Sequence, residues 1–582
     1  MMAQEEQAGV MASERASSEV VAEDAPALEP AGTEAPSSVR VSVIVPVFRP
    51  GEGFDELLES LDRQSLPSTE FEVLLCDDGS GEPTGDRLQR AARARSNVRV
   101  LTLPHTGWPG TPRNHGVDAA RGEYVFFSDQ DDRLFPDALQ QLCDYADRHS
   151  SDVVIGKVVG VGRRIPRQIF RRDIPHAVLG KDPLLELLTP HKLFRKSFLR
   201  QHGIRFPDGR VRLEDHLFVM QAYFKARTIS VLASRPCYAW LKNEGSASSS
   251  RIDPVTYFPH LETVLDLVED NTEPGPLRDT LLRHWYRGKI LKRLDATRVA
   301  RYPDEYLQRF LDVVTPIVQQ RFGPGVDDGL PFPLRIRSAL LRADRRDDLL
   351  RLAQFEAGLE CRAEVTRAEW TRTGKLTLTV HFRVVRDGED ALIFDRPATT
   401  ASSATGGSTK DVQPSVWVPP EPLGRGILPP EALDASRDIG RGRVDLLLRD
   451  GAGGAERRIA GRSPQSTTHA TITVDPLNIF ARRDASPGGQ LVARVRHAGW
   501  TFETALRADR ATLDSVRRSP ILAGRRCALV LRTDGTVELR RDGRARSFRD
   551  TAARAARRAG RLARRVVQRV RGLLHRGTSG SR

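Results

Sequence analysis

An α/β fold with a mostly parallel sheet, then a helical segment and C-terminal β-sandwich-like modules, is the architecture this sequence predicts. Three observations carry it. Between residues 39 and 256, apolar runs of strand length alternate with runs of helical spacing; from 257 to 357 the spacing is helical throughout; beyond Gly358 the period changes to two. The 582 residues exceed what a single core holds. The expected units are a disordered acidic tail at 1–38, the α/β domain at 39–256, the helical segment at 257–357, a β-sandwich module at 358–478, a second small β module at 479–550 and a basic amphipathic tail at 551–582.

Val41 to Val45 reads as a strand ended by Pro46, and Phe54, Leu57, Leu58 and Leu61 follow at i, i+3, i+4 and i+7 as the buried stripe of a helix. Phe71 to Leu75 is a second strand, which runs into Cys76-Asp77-Asp78-Gly79-Ser80. Val98 to Leu103 is a third, and Tyr124 to Phe127 a fourth. Asp129, Asp131 and Asp132 crowd the point where that fourth strand must end. Carboxylates packed this closely repel one another, and a divalent cation between them relieves the repulsion; hard oxygen ligands suit Mg²⁺ or Mn²⁺. Taken singly each residue has a plainer reading, since aspartates form turns and prolines end strands.

Four ordered motifs reverse that plainer reading. Val-Ile-Val-Pro-Val-Phe at 43–48, Cys-Asp-Asp-Gly-Ser at 76–80, Pro-Gly-Thr-Pro-Arg-Asn-His-Gly at 109–116 and Gly-Glu-Tyr-Val-Phe-Phe-Ser-Asp-Gln-Asp-Asp at 122–132 resemble, in order and spacing, the nucleotide-sugar half of family 2 glycosyltransferases with the GT-A fold. The resemblance implies that Pro46, Val47 and Asp78 line a uridine pocket, with Asp77 as a substitute for Asp78. It implies that Arg113 reaches the nucleotide, that Asp129 and Gln130 lie near the ribose and metal, and that Asp131, with Asp129, holds Mn²⁺ or Mg²⁺. Thr189 to Lys196 and Arg212-Leu213-Glu214-Asp215-His216 look like later segments of the family, the second being its Glu-Asp motif. Leu213, Leu217, Met220 and Phe224 have helical spacing, so Asp215 would open a helix as the general base, with Glu214 beside it. Acids also favour a first helical turn for electrostatic reasons alone. Arg212 and His216 flank the pair as contacts for phosphate or acceptor. Tyr238-Ala239-Trp240 and Gly245 to Ser248 resemble the family's closing loop, and no third metal ligand is assignable.

The implied reaction moves a hexose or N-acetylhexosamine from a UDP-sugar to a hydroxyl with inversion. A catalytic domain followed by β modules resembles the bacterial enzymes that glycosylate wall teichoic acid, so the expected acceptor is an anionic envelope polymer or a lipid-linked form of it. The QxxRW signature of processive synthases is absent. The competing class is a non-catalytic envelope-binding scaffold on a degenerate transferase, and metal-dependent UDP release separates the two.

Five scattered cysteines without a CxxC pair argue for reduced thiols and against a zinc site. No window approaches the roughly 18 apolar residues a spanning helix needs, and no basic-then-apolar signal opens the chain, so a cytoplasmic location is expected. The net charge is +14, and ten arginines with no acid at 551–582 supply most of it. Ala555, Ala559, Leu562, Val566, Val570 and Leu573 form one helical stripe there. That pattern suits the inner face of an anionic bilayer better than nucleic acid, which would want interleaved aromatics. The β modules, which show no catalytic constellation, are expected to self-associate or to hold polymer.

Overall fold

A computed structural model describes residues 39–242, 251–395, 414–423, 426–449, 456–462, 468–480, 488–516, 519–521 and 525–544. The expected acidic tail at 1–38, the segment Gly245 to Ser248 and the basic helix at 551–582 lie outside the described residues.

The apolar runs become strands β1 (Val41–Val47), β2 (Phe71–Asp77), β3 (Val98–Thr102) and β4 (Tyr124–Phe127), separated by helices α1 (Gly53–Asp62), α2 (Thr84–Arg93) and α3 (Gly110–Ala119). β1 lies between β2 and β4, parallel to both, with Ile44 paired to Leu74 on one side and Phe127 on the other. Strands covered on both faces can be apolar at every position, and these are almost entirely buried. The stripe read for α1 holds: Phe54, Leu57, Leu58 and Leu61 are all buried.

After β4 the chain adds β5 (Arg133–Leu134), α4 (Ala138–His149), β6 (Val153–Val161), β7 (Ile174–Ala177), β8 (Leu193–Arg195), α5 (Lys196–Gln201), α6 (Glu214–Lys225) and β9 (Ile229–Leu241). The strand order is β3-β2-β1-β4-β8-β6-β9-β5, with β7 on β9. β8 runs antiparallel to both β4 and β6, so the sheet is parallel in its first half and mixed in its second. The chain steps outward from β1 to β2 and β3 and then crosses back through α3 to β4 on the other side of β1, and this reversal of strand order opens a crevice at the carboxyl ends of these strands. The acids after β2 and after β4 both emerge there.

The helical segment begins with α7 (Pro254–Asp270) and α8 (Pro276–Trp285), passes through a π-helical turn at Tyr286–Ile290, and ends with helices at Asp304–Arg321, Phe332–Arg342 and Arg346–Ala357. Beyond it, β10 (Glu360–Trp370) and β11 (Leu376–Arg386) pair antiparallel, and β11 also pairs with His469–Val474. A second antiparallel sheet joins Arg443–Arg449 to Glu456–Arg462 and to Gly488–His497. The hairpin read around Asp534-Gly535 is present, with Gly535 at φ +77° between Arg525–Leu531 and Val537–Arg544.

The structure does not divide the β region at residue 478. Arg443–Arg449 is hydrogen-bonded to Gly488–His497 across that point, and Val380, Leu446, Ile472, Leu491 and Leu539 share one core. Each sheet alternates, so each has one apolar face and needs the other to cover it. The β region also docks on the helical segment: Trp500 Nε1 donates to Glu356 at 3.1 Å, and the Trp500 ring lies 5.5 Å from that of Phe332.

Candidate active site

The crevice is a cleft of about 1120 Å³ lined from both the α/β domain and the helical segment. α3 reaches it because Gly116 lets the helix press on the sheet; a Cβ there would lie 2.4 Å from the Ile44 side chain and 3.0 Å from Cys76 Sγ. Asn114 ties the same helix to the chain before α6, exchanging two 2.9 Å hydrogen bonds with the backbone of Phe206. Under the cleft Phe206 and Phe218 stack at 4.0 Å, and Phe127 meets both edge-on. The Arg113 guanidinium rests over Phe206, 5.2 Å from its centroid.

Arg113 joins the two halves of the site. It donates to Asp129 Oδ1 at 2.9 Å, and its Nη1 lies 3.6 Å from Glu214 Oε1. Asp129 also meets His191 Nε2 at 3.0 Å. Burial pushes the Asp129 carboxyl up, but the charges and hydrogen bonds of His191 and Arg113 outweigh it and hold the group well below the usual carboxylate range.

Several expected residues line the cleft: Pro46, Val47, Asp78, Arg113, Asp129, Gln130, Asp131, Arg212, Glu214, Asp215 and His216. Some have other duties than those the motifs suggest. Asp78 accepts from Thr106 N at 2.8 Å, Thr106 Oγ1 at 2.7 Å and Gly107 N at 2.8 Å, so its carboxylate folds the 105–107 loop into the cleft wall. Asp77 is absent from the lining; its Oδ1 accepts from Ser80 N at 3.1 Å, shaping the turn. Gln130 clamps the Phe48 backbone, accepting from its N–H at 2.9 Å and donating to its carbonyl at 3.2 Å. The guanidinium of Arg212 lies over Trp108, 5.2 Å from the ring centroid.

Among the described residues the acids and imidazole close enough to share a cation are Asp129, Asp132 and His191. Asp131, the expected ligand, is outside that cluster but lines the same cleft. Asp132 is 1% exposed, and its two oxygens accept from Tyr238 Oη and Leu241 N, both at 2.7 Å. The cluster members that face the cleft are therefore Asp129 and His191. Among the described residues neither buried ring nitrogen of His191 has a geometrically formed hydrogen bond, although Nε2 lies 3.0 Å from Asp129 Oδ2. Carboxylate oxygens with one imidazole fit Mn²⁺ or Mg²⁺.

On the far side, α6 opens with Glu214 and Asp215 in its first turn, after Leu213 at φ +62°. Burial, then the neighbouring Asp215 charge, pushes the Glu214 carboxyl up to about 7 against the pull of Arg113. Burial also raises Asp215, opposed by the His216 N–H, Lys289, Arg113 and Lys192. Lys192 is fully buried, donates to the Thr189 carbonyl, and is lowered by burial to about 7 against the attraction of Asp215. Lys192 and His191 fall in the Thr189 to Lys196 segment, whose resemblance assigns them no role, whereas Trp285, Lys289 and Arg293 escape motif reading because they sit in a helical segment with no local mark of chemistry.

Comparison with known proteins follows the same division of the chain. Residues 42–215 match the family described as Glycosyl transferase family 2. This stretch is a family 2 glycosyltransferase domain. Residues 254–353, the helical segment, match the family described as Glycosyl transferase TarS linker domain. The chain is 36% identical over 223 residues to the poly(ribitol-phosphate) beta-N-acetylglucosaminyltransferase TarS of Staphylococcus aureus, a match covering 38% of this chain and 39% of that protein. It is 31% identical over 234 residues to the poly(ribitol-phosphate) beta-glucosyltransferase of Bacillus spizizenii, covering 40% of this chain and 37% of that one. The matches thus span about two fifths of the length of either relative. The crystal structure of S. aureus TarS 1–349 in complex with UDP-GlcNAc matches with a TM-score of 0.50 at 26% identity, covering 60% of this chain and 98% of that chain.

Proposed function

We propose that the chain is an inverting glycosyltransferase that moves a hexose or N-acetylhexosamine from a UDP-sugar to a hydroxyl of an anionic poly(alditol phosphate) of the teichoic acid class. The observation that carries this is Arg113, which places an ionised acid, Asp129, and a raised acid pair, Glu214 and Asp215, on opposite sides of one cleft. One acid serves the donor side and the other pair serves proton transfer. The relatives named for poly(ribitol-phosphate) substrates and the TarS complex with UDP-GlcNAc support the donor and acceptor classes.

In the reaction Asp215 accepts the proton of the acceptor hydroxyl as its oxygen attacks the anomeric carbon and the bond to UDP breaks. Glu214 keeps the Arg113 guanidinium turned toward Asp129, and Asp78 and Gln130 hold the loops that wall the nucleotide end. Asp129 and His191, with Asp131 on the rim, would hold Mn²⁺ or Mg²⁺, which when bound offsets charge on the diphosphate. Arg163, Arg210, Arg212, Lys289 and Arg293 line the cleft and give an anionic polymer a favourable approach.

No helix among the described residues is long and apolar enough to cross a membrane. Recruitment to the inner membrane face through Thr551 to Arg582, and self-association through the β region, belong to the same proposal. Mass spectrometry of poly(ribitol phosphate) incubated with the protein, Mn²⁺ and either UDP-GlcNAc or UDP-glucose is the test. One added sugar per modified hydroxyl is expected, with UDP release that stops in EDTA; UDP-sugar binding without release under any condition would leave the scaffold reading.

A further inference from the structure

His216 lines the cleft next to Asp215, yet the residue that fixes its ring comes from the linker. Trp285, the last residue of α8 and fully buried, donates its indole N–H to His216 Nδ1 at 3.0 Å. Indole nitrogen is only ever a donor, so Nδ1 must carry the lone pair and the ring proton must sit on Nε2. An imidazolium would bring two N–H groups head to head. Nε2 lies 4.0 Å from Asp215 Oδ1, too long for a direct hydrogen bond, while the His216 backbone N–H donates to that same oxygen at 2.9 Å. The Nε2–H therefore faces the space beside Asp215 without a hydrogen-bond partner among the described residues.

The backbone around Trp285 is unusual in the same sense. The π-helical turn Tyr286–Ile290 begins directly after it, and such turns are rare and concentrate at functional sites. This turn carries Lys289, and His284 precedes Trp285; both line the cleft. The charged and titratable groups facing His216 are thus Asp215 on its own helix, Lys192 from β8's approach, and His284 and Lys289 from the linker. Burial, with Lys289 and Lys192 adding to it, holds the His216 imidazole well below its ordinary range, in agreement with a neutral ring.

We propose that Trp285 is a positioning residue for the acceptor step: it locks His216 in the Nε2–H tautomer, so that the ring presents a hydrogen-bond donor to the acceptor oxygen beside Asp215. The linker is then part of the catalytic unit and not only a spacer. This rests on the reading of Asp215 as the base.

A double-mutant cycle on the full chain tests the proposal, with Trp285→Phe removing the N–H while keeping an aromatic ring, and His216→Ala removing the group it acts on. Each single variant is expected to lower kcat for transfer about tenfold with the UDP-GlcNAc Kd unchanged, and the double variant to be no worse than His216→Ala. Losses that multiply in the double variant, or wild-type kcat in Trp285→Phe, would overturn the idea and leave Trp285 as packing. Exchange of the imidazole C2 hydrogen, read by mass spectrometry on the His216 peptide of the wild-type chain, needs neither turnover nor a folded variant. A rate flat from pH 5 to 8 is expected, and a sigmoidal rise marking protonation in that range would overturn the tautomer assignment. If Asp215→Asn transfers sugar normally, the base assignment falls, while the 285–216 coupling is still read from the cycle.

Discussion

Arg113 donates to Asp129 Oδ1 at 2.9 Å from a position that is 5% exposed, with Glu214 3.6 Å from its other terminal nitrogen. A buried guanidinium between two acids relieves both, and lysine cannot reproduce its planar fork. Arg113→Lys should lower kcat/KM by about 10², an effect of the size expected when one precisely placed group is lost. Arg113→Ala should do so as well and also move the acidic limb of the pH–rate profile upward, because the charge that opposes the rise of the Asp215 base, and of Glu214 beside it, is gone. Steady-state kinetics across pH on both variants checks this; an unmoved limb would separate Arg113 from that pair.

The raised pair predicts a pH dependence. Glu214 sits at about 7 and Asp215 is raised as well, both through burial first. A protonated Asp215 cannot accept the acceptor proton, and its carboxyl is raised, so kcat should fall on the acid side at a pH above the ordinary carboxylate range and level off at higher pH. Stability has the opposite sign. A carboxyl raised on folding favours the protonated native state, so stability is lost as pH rises from the unfolded carboxyl range toward 7. Glu214→Gln should therefore raise Tm at pH 8 and change it little at pH 4, which differential scanning fluorimetry can read.

Asp215→Asn keeps the shape of the first turn of α6 and removes proton acceptance. Transfer should drop by about 10² or more while UDP-sugar affinity, measured by calorimetry, survives. Loss of donor binding with full catalysis at saturation would make Asp215 a binding residue.

For the cation side, Asp129→Ala and His191→Ala should abolish tight Mn²⁺ binding followed by electron paramagnetic resonance. Asp132→Asn should mainly cost stability, because that carboxylate is committed to Tyr238 and Leu241. Asp131→Ala tests the rim position: turnover should fall by orders of magnitude with the fold unchanged. Full activity of Asp131→Ala in EDTA would remove the metal from the reaction.

The shared β core also makes a prediction. A chain ended at residue 478 leaves Arg443–Arg449 without the Gly488–His497 strand and exposes Leu446 and Ile472. Limited proteolysis should then digest everything beyond about residue 358, whereas the full chain resists. Survival of an intact 358–478 fragment would restore the two-module division.

Much of this molecule was legible in residue order alone. Mainly apolar runs of four or five residues, broken only by Ser42 and Glu72 and each ending in acids or a turn, predicted β1, β2 and β4; parallel strands buried on both faces have that signature. Strict alternation in β11 predicted a half-buried antiparallel sheet for the same kind of reason, and the motifs named most of the cleft lining. Tertiary structure alone decided what each acid faces. Asp78 turned out to be occupied by Thr106 and Gly107, Asp132 by Tyr238 and Leu241, and His216 by Trp285, 69 residues away on a linker helix. Local patterns report which face of an element is buried, because that depends on periodicity. Hydrogen-bond partners, tautomers and shifted acidities depend on distances between elements brought together by the fold, and no periodicity encodes those.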